Sequence, residues 1–308
     1  MISDKAGWVK LGEGSYGKVF LNLENPNMVR KEAYEKGCNV FINQEYQFMN
    51  KFDKPFIRKA FNYIEDDICS FDMEFYFNKL GSRSANNNID EFGKYIIIYG
   101  ISKAVECISN ENLIHRDIKP SNIMLNSKNY PILSDFGISR ELKHFNPLLS
   151  RTGTAVFTKP LFKDSTNVAD VSVDIYSIGT LIYHLFFGFK FNETRLFKNE
   201  FNTKSEYFMK RKDLFDPKID NDDNNDPYSR LFRMCCDIEN KCTLRDVFDS
   251  LDQIRNQRYG DKQAEFNQFQ RWLNGEINVR NNNEFNSHNI DYEETDEPFT
   301  PSMTRNTK

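Results

Sequence analysis

Cysteine, tryptophan and histidine are scarce in this chain of 308 residues, at 6, 2 and 4. The cysteines stand at 38, 69, 107, 235, 236 and 242, with no CxxC pair, and no secretory signal opens the chain. Neither a zinc ribbon nor a disulfide framework is indicated. Free thiols in a reducing compartment are expected instead, which places the protein in the cytoplasm and leaves the nucleus open. Long apolar runs are also missing. The most apolar stretch, 175–189, contains Ser177 and His184 and is shorter than the ~20 residues that span a bilayer, so it reads as a buried core helix with no membrane partner. Nor is positive charge in excess. With 41 basic and 45 acidic residues the net charge is -4, no basic stripe is present to neutralise a phosphate backbone, and nucleic acid is not expected as a partner. What the chain does hold is the mixture of a soluble globular protein, 39% hydrophobic and 28% charged, which excludes collagen and coiled coil. Asn is abundant, at 35, and reads as codon or loop bias.

The length allows two compact units or one two-lobed domain with an appendage. The first 75 residues look β-rich. Trp8 to Leu11 and Lys18 to Leu21 flank a glycine-rich turn, and Met28 to Lys31 follows the turn signal at 24–27, giving an antiparallel meander. A helix is expected from Asn39 to Phe52, ended by Pro55, and then two short strands near 60–64 and 68–75. After Leu80 the segments lengthen into helices at 91–109, 174–187 and 243–255, the last with Thr243 as candidate N-cap. Residues 216–226 read as a surface loop. From about Tyr259 onward Gln, Asn and acidic residues dominate, and the last 30 or so residues are expected to be a disordered tail.

Two motifs carry chemistry. The first, Gly12-Glu13-Gly14-Ser15-Tyr16-Gly17-Lys18-Val19, is a GxGxxGxV. Alone it fits a dinucleotide-binding fold, a phosphate-cradling hairpin or plain turn chemistry. Here the third glycine leads into a strand, not a helix, which favours the hairpin, with glycines letting backbone close over phosphates. The second is His115-Arg116-Asp117-Ile118-Lys119-Pro120-Ser121-Asn122, followed thirteen residues after Asn122 by Asp135-Phe136-Gly137. Asp117, Asn122 and Asp135 supply one base and two oxygen ligands of the kind that suits Mg²⁺ on a polyphosphate.

On these motifs the chain resembles a eukaryotic protein kinase catalytic domain, from about Trp8 to Arg255. The resemblance implies an α+β, two-lobed fold, with a small β-rich lobe (1–73), a hinge (74–80) and a larger, mainly helical lobe (81–258) sharing one nucleotide cleft. A partly disordered C-terminal extension would occupy 259–308. It further implies ATP and Mg as cofactors and a protein substrate bearing Ser or Thr. Residue by residue, Gly12, Gly14 and Gly17 would cover the phosphates. Lys31 would grip them, held by Glu45, and strand alternation turns its rival Arg30 to the opposite face. Asp117 resembles the catalytic base and Lys119 the lysine that steadies the transferring group, also the mark of the serine/threonine class. Asn122 and Asp135 resemble the metal ligands. Met73, Glu74 and Tyr76 look like the gatekeeper and hinge, with Val19, Val29 and Met124 sandwiching the adenine; Val29 stands where Ala is usual. Asp174, in a DxxSxG motif, would cap the catalytic loop from inside the large lobe.

The ending of the activation segment departs from the family. Where APE is usual the chain reads Lys159-Pro160-Leu161, and the arginine that normally pairs with the missing glutamate is replaced by Lys241. Both halves of a buried ion pair are lost together, the tolerable combination, since losing one leaves a buried charge at roughly 3–5 kcal/mol. Ser150, with Thr152 as runner-up, stands where an activating phosphate would meet Arg116. Leu80 and Ser121 replace acidic residues that select arginine-rich peptides, so no such preference is expected. Thr295, Thr300 and Ser302 are possible self-phosphorylation sites. Two alternatives remain open: a pseudokinase or scaffold that binds nucleotide or a partner without turnover, and a small-molecule kinase of related fold.

Overall fold

Short runs rich in β-branched and aromatic residues, separated by turn residues, fold the start of the chain as antiparallel strands: β1 (Trp8–Glu13), β2 (Gly17–Asn22) and β3 (Met28–Ala33). The computed structural model describes residues 7–14, 16–81, 89–141, 157, 159, 170–188, 226–237 and 241–279. With β4 (Ala60–Ile64) and β5 (Ser70–Glu74) the strands form a five-stranded sheet in the order β1-β2-β3-β5-β4. On β3 alternate residues are buried, namely Val29, Lys31 and Ala33, so Arg30 faces the other way. There it binds Asp72 of β5 at 2.7 Å. Helix α1 (Asn39–Asn50) buries Ile42, Glu45, Phe48 and Met49.

Helix formation dominates the remainder. Asp90 caps α2 (Glu91–Asn110), accepting from the Gly93 amide at 2.7 Å. The apolar stretch noted in the sequence becomes α3 (Ser172–Phe187), buried along most of its length. No described helix is long and apolar enough to cross a membrane. A Cβ on Gly179 of α3 would lie 2.6 Å from Cys236 Sγ and 2.7 Å from Cys235 Cβ, so only glycine permits the approach of α4 (Pro227–Cys236). Asp226 caps α4 through the Ser229 amide, whereas the sequence reads it as loop; 216–225 lie outside the described residues. Thr243 and Asp246 form a capping box on α5 (Leu244–Arg258). Short strands complete this part: β6 (Asn78–Lys79), β8 (Ile123–Leu125) and β9 (Pro131–Leu133) in one sheet, and β7 (Leu113–Ile114) with β10 (Arg140–Glu141) in another.

Beyond Arg258 the polar composition conceals a helix, α6 (Gln263–Leu273). Phe266, Phe269 and Trp272 recur at helical spacing and are buried, with Phe266 and Phe269 edge-on to Tyr99 of α2 at 5.2 and 6.1 Å. The expected disordered tail lies almost wholly outside the described residues. The fold is therefore α+β, an N-terminal antiparallel sheet followed by a mainly helical region, as the two-lobed resemblance implies. Among the described residues there are two compact units. One comprises the chain up to Asn50 with Lys59–Phe75; the other comprises Lys51–Arg58 and the chain from Tyr76 onward.

Candidate active site

In the first unit the glycine motif is the β1–β2 turn, closed by the Gly14 amide donating to the Gly17 carbonyl at 2.9 Å. A Cβ at Gly17 would sit 2.3 Å from the Glu32 carbonyl oxygen, so no side chain fits there. A Cβ at Gly12 or Gly14 would meet nothing within 4 Å, and glycine leaves that space open for a ligand to reach backbone. Lys31 and Glu45 meet as the sequence reading expects, with Lys31 Nζ 2.8 Å from Glu45 Oε1 and 2.7 Å from Oε2. Both are buried. Val19 is opposite Lys31 in the β2–β3 register, and buried Val29 is opposite buried Met73, with Glu74 following at the end of β5.

In the second unit the loop after β7 is held from beneath. Asp174, in the first turn of α3, accepts the His115 amide at 2.7 Å and the Arg116 amide at 2.8 Å. These two bonds hold Arg116 at φ 74, a left-handed conformation that a non-glycine residue adopts only under constraint. Burial pushes the Asp174 carboxyl up and the His115 imidazole down from their ordinary ranges, while their mutual attraction opposes both shifts. Neutral His115 fits its bonds: Nδ1 accepts the Asp117 amide at 3.3 Å, and Nε2 faces the Ser134 carbonyl at 3.2 Å.

Asp117 is fixed from two sides. Asn122 Nδ2 donates to Asp117 Oδ2 and to its carbonyl oxygen, each at 2.8 Å, and Lys119 Nζ lies 3.0 Å from Oδ2. A carboxylate so held is a fixed acceptor with a cation beside it, the chemistry of a base next to a place where negative charge develops. Using Nδ2 on Asp117 leaves Asn122 Oδ1 as the amide's donor toward a cation. Asp135 follows Ser134 with φ 67, and the next residue, Phe136, packs on the His115 ring at 4.7 Å. No group of three or more His, Cys, Asp or Glu able to hold a metal ion by themselves is found among the described residues. A cation at Asn122 and Asp135 would thus complete its shell with phosphate or water oxygens, a donor set that fits Mg²⁺. Met124 is half-buried on β8, opposite Ile132 and Lys79. The Tyr76 ring lies 5.8 Å from the Arg58 guanidinium.

The departures from the family are partly visible. Ser150, Thr152 and Leu161 lie outside the described residues. Lys159, to which the sequence reading gave no task, donates to Ser172 Oγ at 2.8 Å at the start of α3. Ser172 in turn donates its amide to Asp170 at 2.9 Å. Burial lowers the Lys159 pKa, Asp170 opposes that shift, and Lys241 adds to it by repulsion, so Lys241 lies within electrostatic reach. Ser177 Oγ also bonds the Phe157 carbonyl at 2.6 Å, a second fastening onto α3. Leu80 is fully buried and Ser121 exposed. Ser134 and Arg58 were missed as well; the one available signal was a serine directly preceding the Asp-Phe-Gly motif.

Comparison with known proteins agrees with this geometry. The family described as protein kinase domain matches residues 7–258. A Saccharomyces cerevisiae protein named as a serine/threonine-protein kinase is 28% identical over 234 residues, covering 72% of this chain and 25% of its own. The 3-phosphoinositide-dependent protein kinase B of Dictyostelium discoideum is 31% identical over 250 residues, 71% of this chain and 26% of that one. The human 3-phosphoinositide-dependent protein kinase 1 is 26% identical over 232 residues, 66% and 40% respectively. The chain thus spans from a quarter to two fifths of the length of these relatives.

Proposed function

Because the chain belongs to the protein kinase domain family, we propose that it is a serine/threonine protein kinase, transferring the γ-phosphoryl group of ATP to Ser or Thr hydroxyls of protein substrates. The observation that carries this reading is the bonding of Asp117. Its carboxylate, held by Asn122 and Lys119, is set to orient a substrate hydroxyl and take its proton. Lys119 steadies charge on the moving phosphoryl group, and its presence supports the serine/threonine class. Lys31, positioned by Glu45, grips the ATP phosphates under the backbone of Gly12, Gly14 and Gly17. Val19, Val29, Met73 and Met124 are apolar residues assigned to the adenine, with Glu74 and Tyr76 offering main-chain groups to its edge. Asn122 and Asp135 would hold Mg²⁺, which when bound neutralises phosphate charge. Phosphoryl transfer asks mainly for positioning and charge stabilisation, and these residues supply both. The catalytic unit is assigned to 1–258, with the segment from 259 as an extension, and the free cysteines fit a cytoplasmic setting.

The test is transfer of radiolabelled phosphate from ATP to generic protein substrates, with phospho-amino-acid analysis. Wild type should label Ser and Thr, and Asp117→Asn should lose activity by about 10²–10⁴-fold with nucleotide binding intact. An inactive wild type that still binds nucleotide would favour the scaffold reading, which rests on the losses at Leu161 and Lys241.

A further inference from the structure

Arg58 is an arginine only 7% exposed, within a segment that belongs by sequence to the first part of the chain and by packing to the second unit. Burying a guanidinium is costly unless its donors are used, so its contacts identify its task. The backbone around it runs alongside β9: Ile57 bridges Leu133, the Arg58 amide donates to the Leu133 carbonyl at 2.9 Å, and the Leu133 amide donates to the Phe56 carbonyl at 2.9 Å. This places the side chain at the residue that follows β9. Nη1 of Arg58 donates to Ser134 Oγ at 3.2 Å, and the guanidinium lies 5.8 Å from the Tyr76 ring centroid.

Ser134, itself 3% exposed, is a junction. Its amide donates to the Asn122 carbonyl at 2.9 Å, its carbonyl faces His115 Nε2 at 3.2 Å, and its hydroxyl takes the Arg58 bond. It also precedes Asp135, whose backbone sits at φ 67. Both residues assigned to the metal therefore connect to Ser134, Asn122 by a hydrogen bond and Asp135 by the chain.

We infer that Arg58 is a positioning residue for divalent-cation binding, fixing Ser134 and through it the spacing of Asn122 and Asp135. The inference rests on those two residues being the metal ligands. Groups bonded to a metal's ligands orient them, and their loss typically weakens metal binding about 10–100-fold; Arg58 acts one bond further out, through Ser134, so the lower end of that range is expected.

The test uses Mn²⁺ as an EPR-visible probe, titrated into the full chain with a non-hydrolysable ATP analogue. Arg58→Met should raise the Mn²⁺ dissociation constant about tenfold, as should Ser134→Ala, and the double variant should be no weaker than either alone. Arg58→Lys, which keeps a donor and the charge, should recover part of the loss. Phosphorylation assays should show the same rise in half-saturating Mg²⁺ without a change in KM for the protein substrate. If Arg58→Met does not fold, Ser134→Ala carries the same expectation. Unchanged Mn²⁺ affinity in Ser134→Ala and Arg58→Met, with Asp135→Asn and Asn122→Ala weakened, overturns the role of Arg58 alone. Unchanged affinity in Asp135→Asn and Asn122→Ala instead overturns the ligand assignment, and the inference with it.

Discussion

The two units hold their charged site residues in different ways. In the first, Lys31 pairs with the carboxylate of Glu45, which belongs to another secondary-structure element. In the second, Asp117 sits in a mesh: Asn122 and Lys119 bind its side chain, Asp174 holds the two preceding amides, and His115 links the loop to Ser134. A buried ion pair ties strand to helix through side chains. A mesh of buried bonds loses several at once when any member goes. The first charge is placed by side chains pairing across a strand and a helix, the second by a loop whose backbone and side chains bind one another.

The sharpest challenge to that contrast is Asp174→Ala. It leaves the buried amides of His115 and Arg116 without their acceptor, and at about 1–3 kcal/mol each the loss should be roughly 2–6 kcal/mol in chemical denaturation, with activity falling alongside. In the first unit, Lys31→Met removes the cation paired with the buried Glu45 carboxylate and should cost about 3–5 kcal/mol. Adding Glu45→Leu should restore most of that stability and none of the activity, separating the two roles of the pair. A double variant as unstable as the single one would show that more than their mutual pairing is lost.

Smaller effects test the edges. Lys159→Ala removes the bond to Ser172 and should raise KM for the protein substrate about tenfold while leaving KM for ATP unchanged. An equal rise in both would mean that Lys159 supports the fold at large. The smallest effect concerns pH. Burial pushes the His184 pKa down from 6.5 to about 4, so the folded protein keeps this ring neutral while the unfolded chain protonates it. Its share of stability is complete above pH 6.5 and is lost as pH falls toward 4. Between pH 6.5 and 5.5 the loss is about 1 kcal/mol, and His184→Leu should flatten the stability profile by that amount.

Periodicity made α1, α2 and α3 legible, and short apolar runs between turn signals did so for β1 to β3. Thr243 was legible because a capping residue acts on its immediate neighbours. Motif order brought Lys31, Glu45, Asp117 and Asn122 to the fore, and Arg30 was set aside by alternation alone. What escaped depends on partners distant in sequence. Arg58 and Ser134 are 76 residues apart, and Lys159 and Ser172 are 13 apart, with nothing local to mark either contact. The helix α6 escaped for another reason: Asn267, Gln268 and Gln270 surround its aromatic positions and mask them in a composition average.

That helix has a consequence for where this catalytic unit ends. The family's match stops at residue 258, yet Tyr95, Tyr99 and Tyr130 are covered by Phe266, Phe269 and Trp272, which come after it. A protein trimmed to the family boundary would present bare aromatic rings to water, an adhesive patch of the kind that drives self-association. The chain brings its own cover, in effect a tethered companion that need never be recruited.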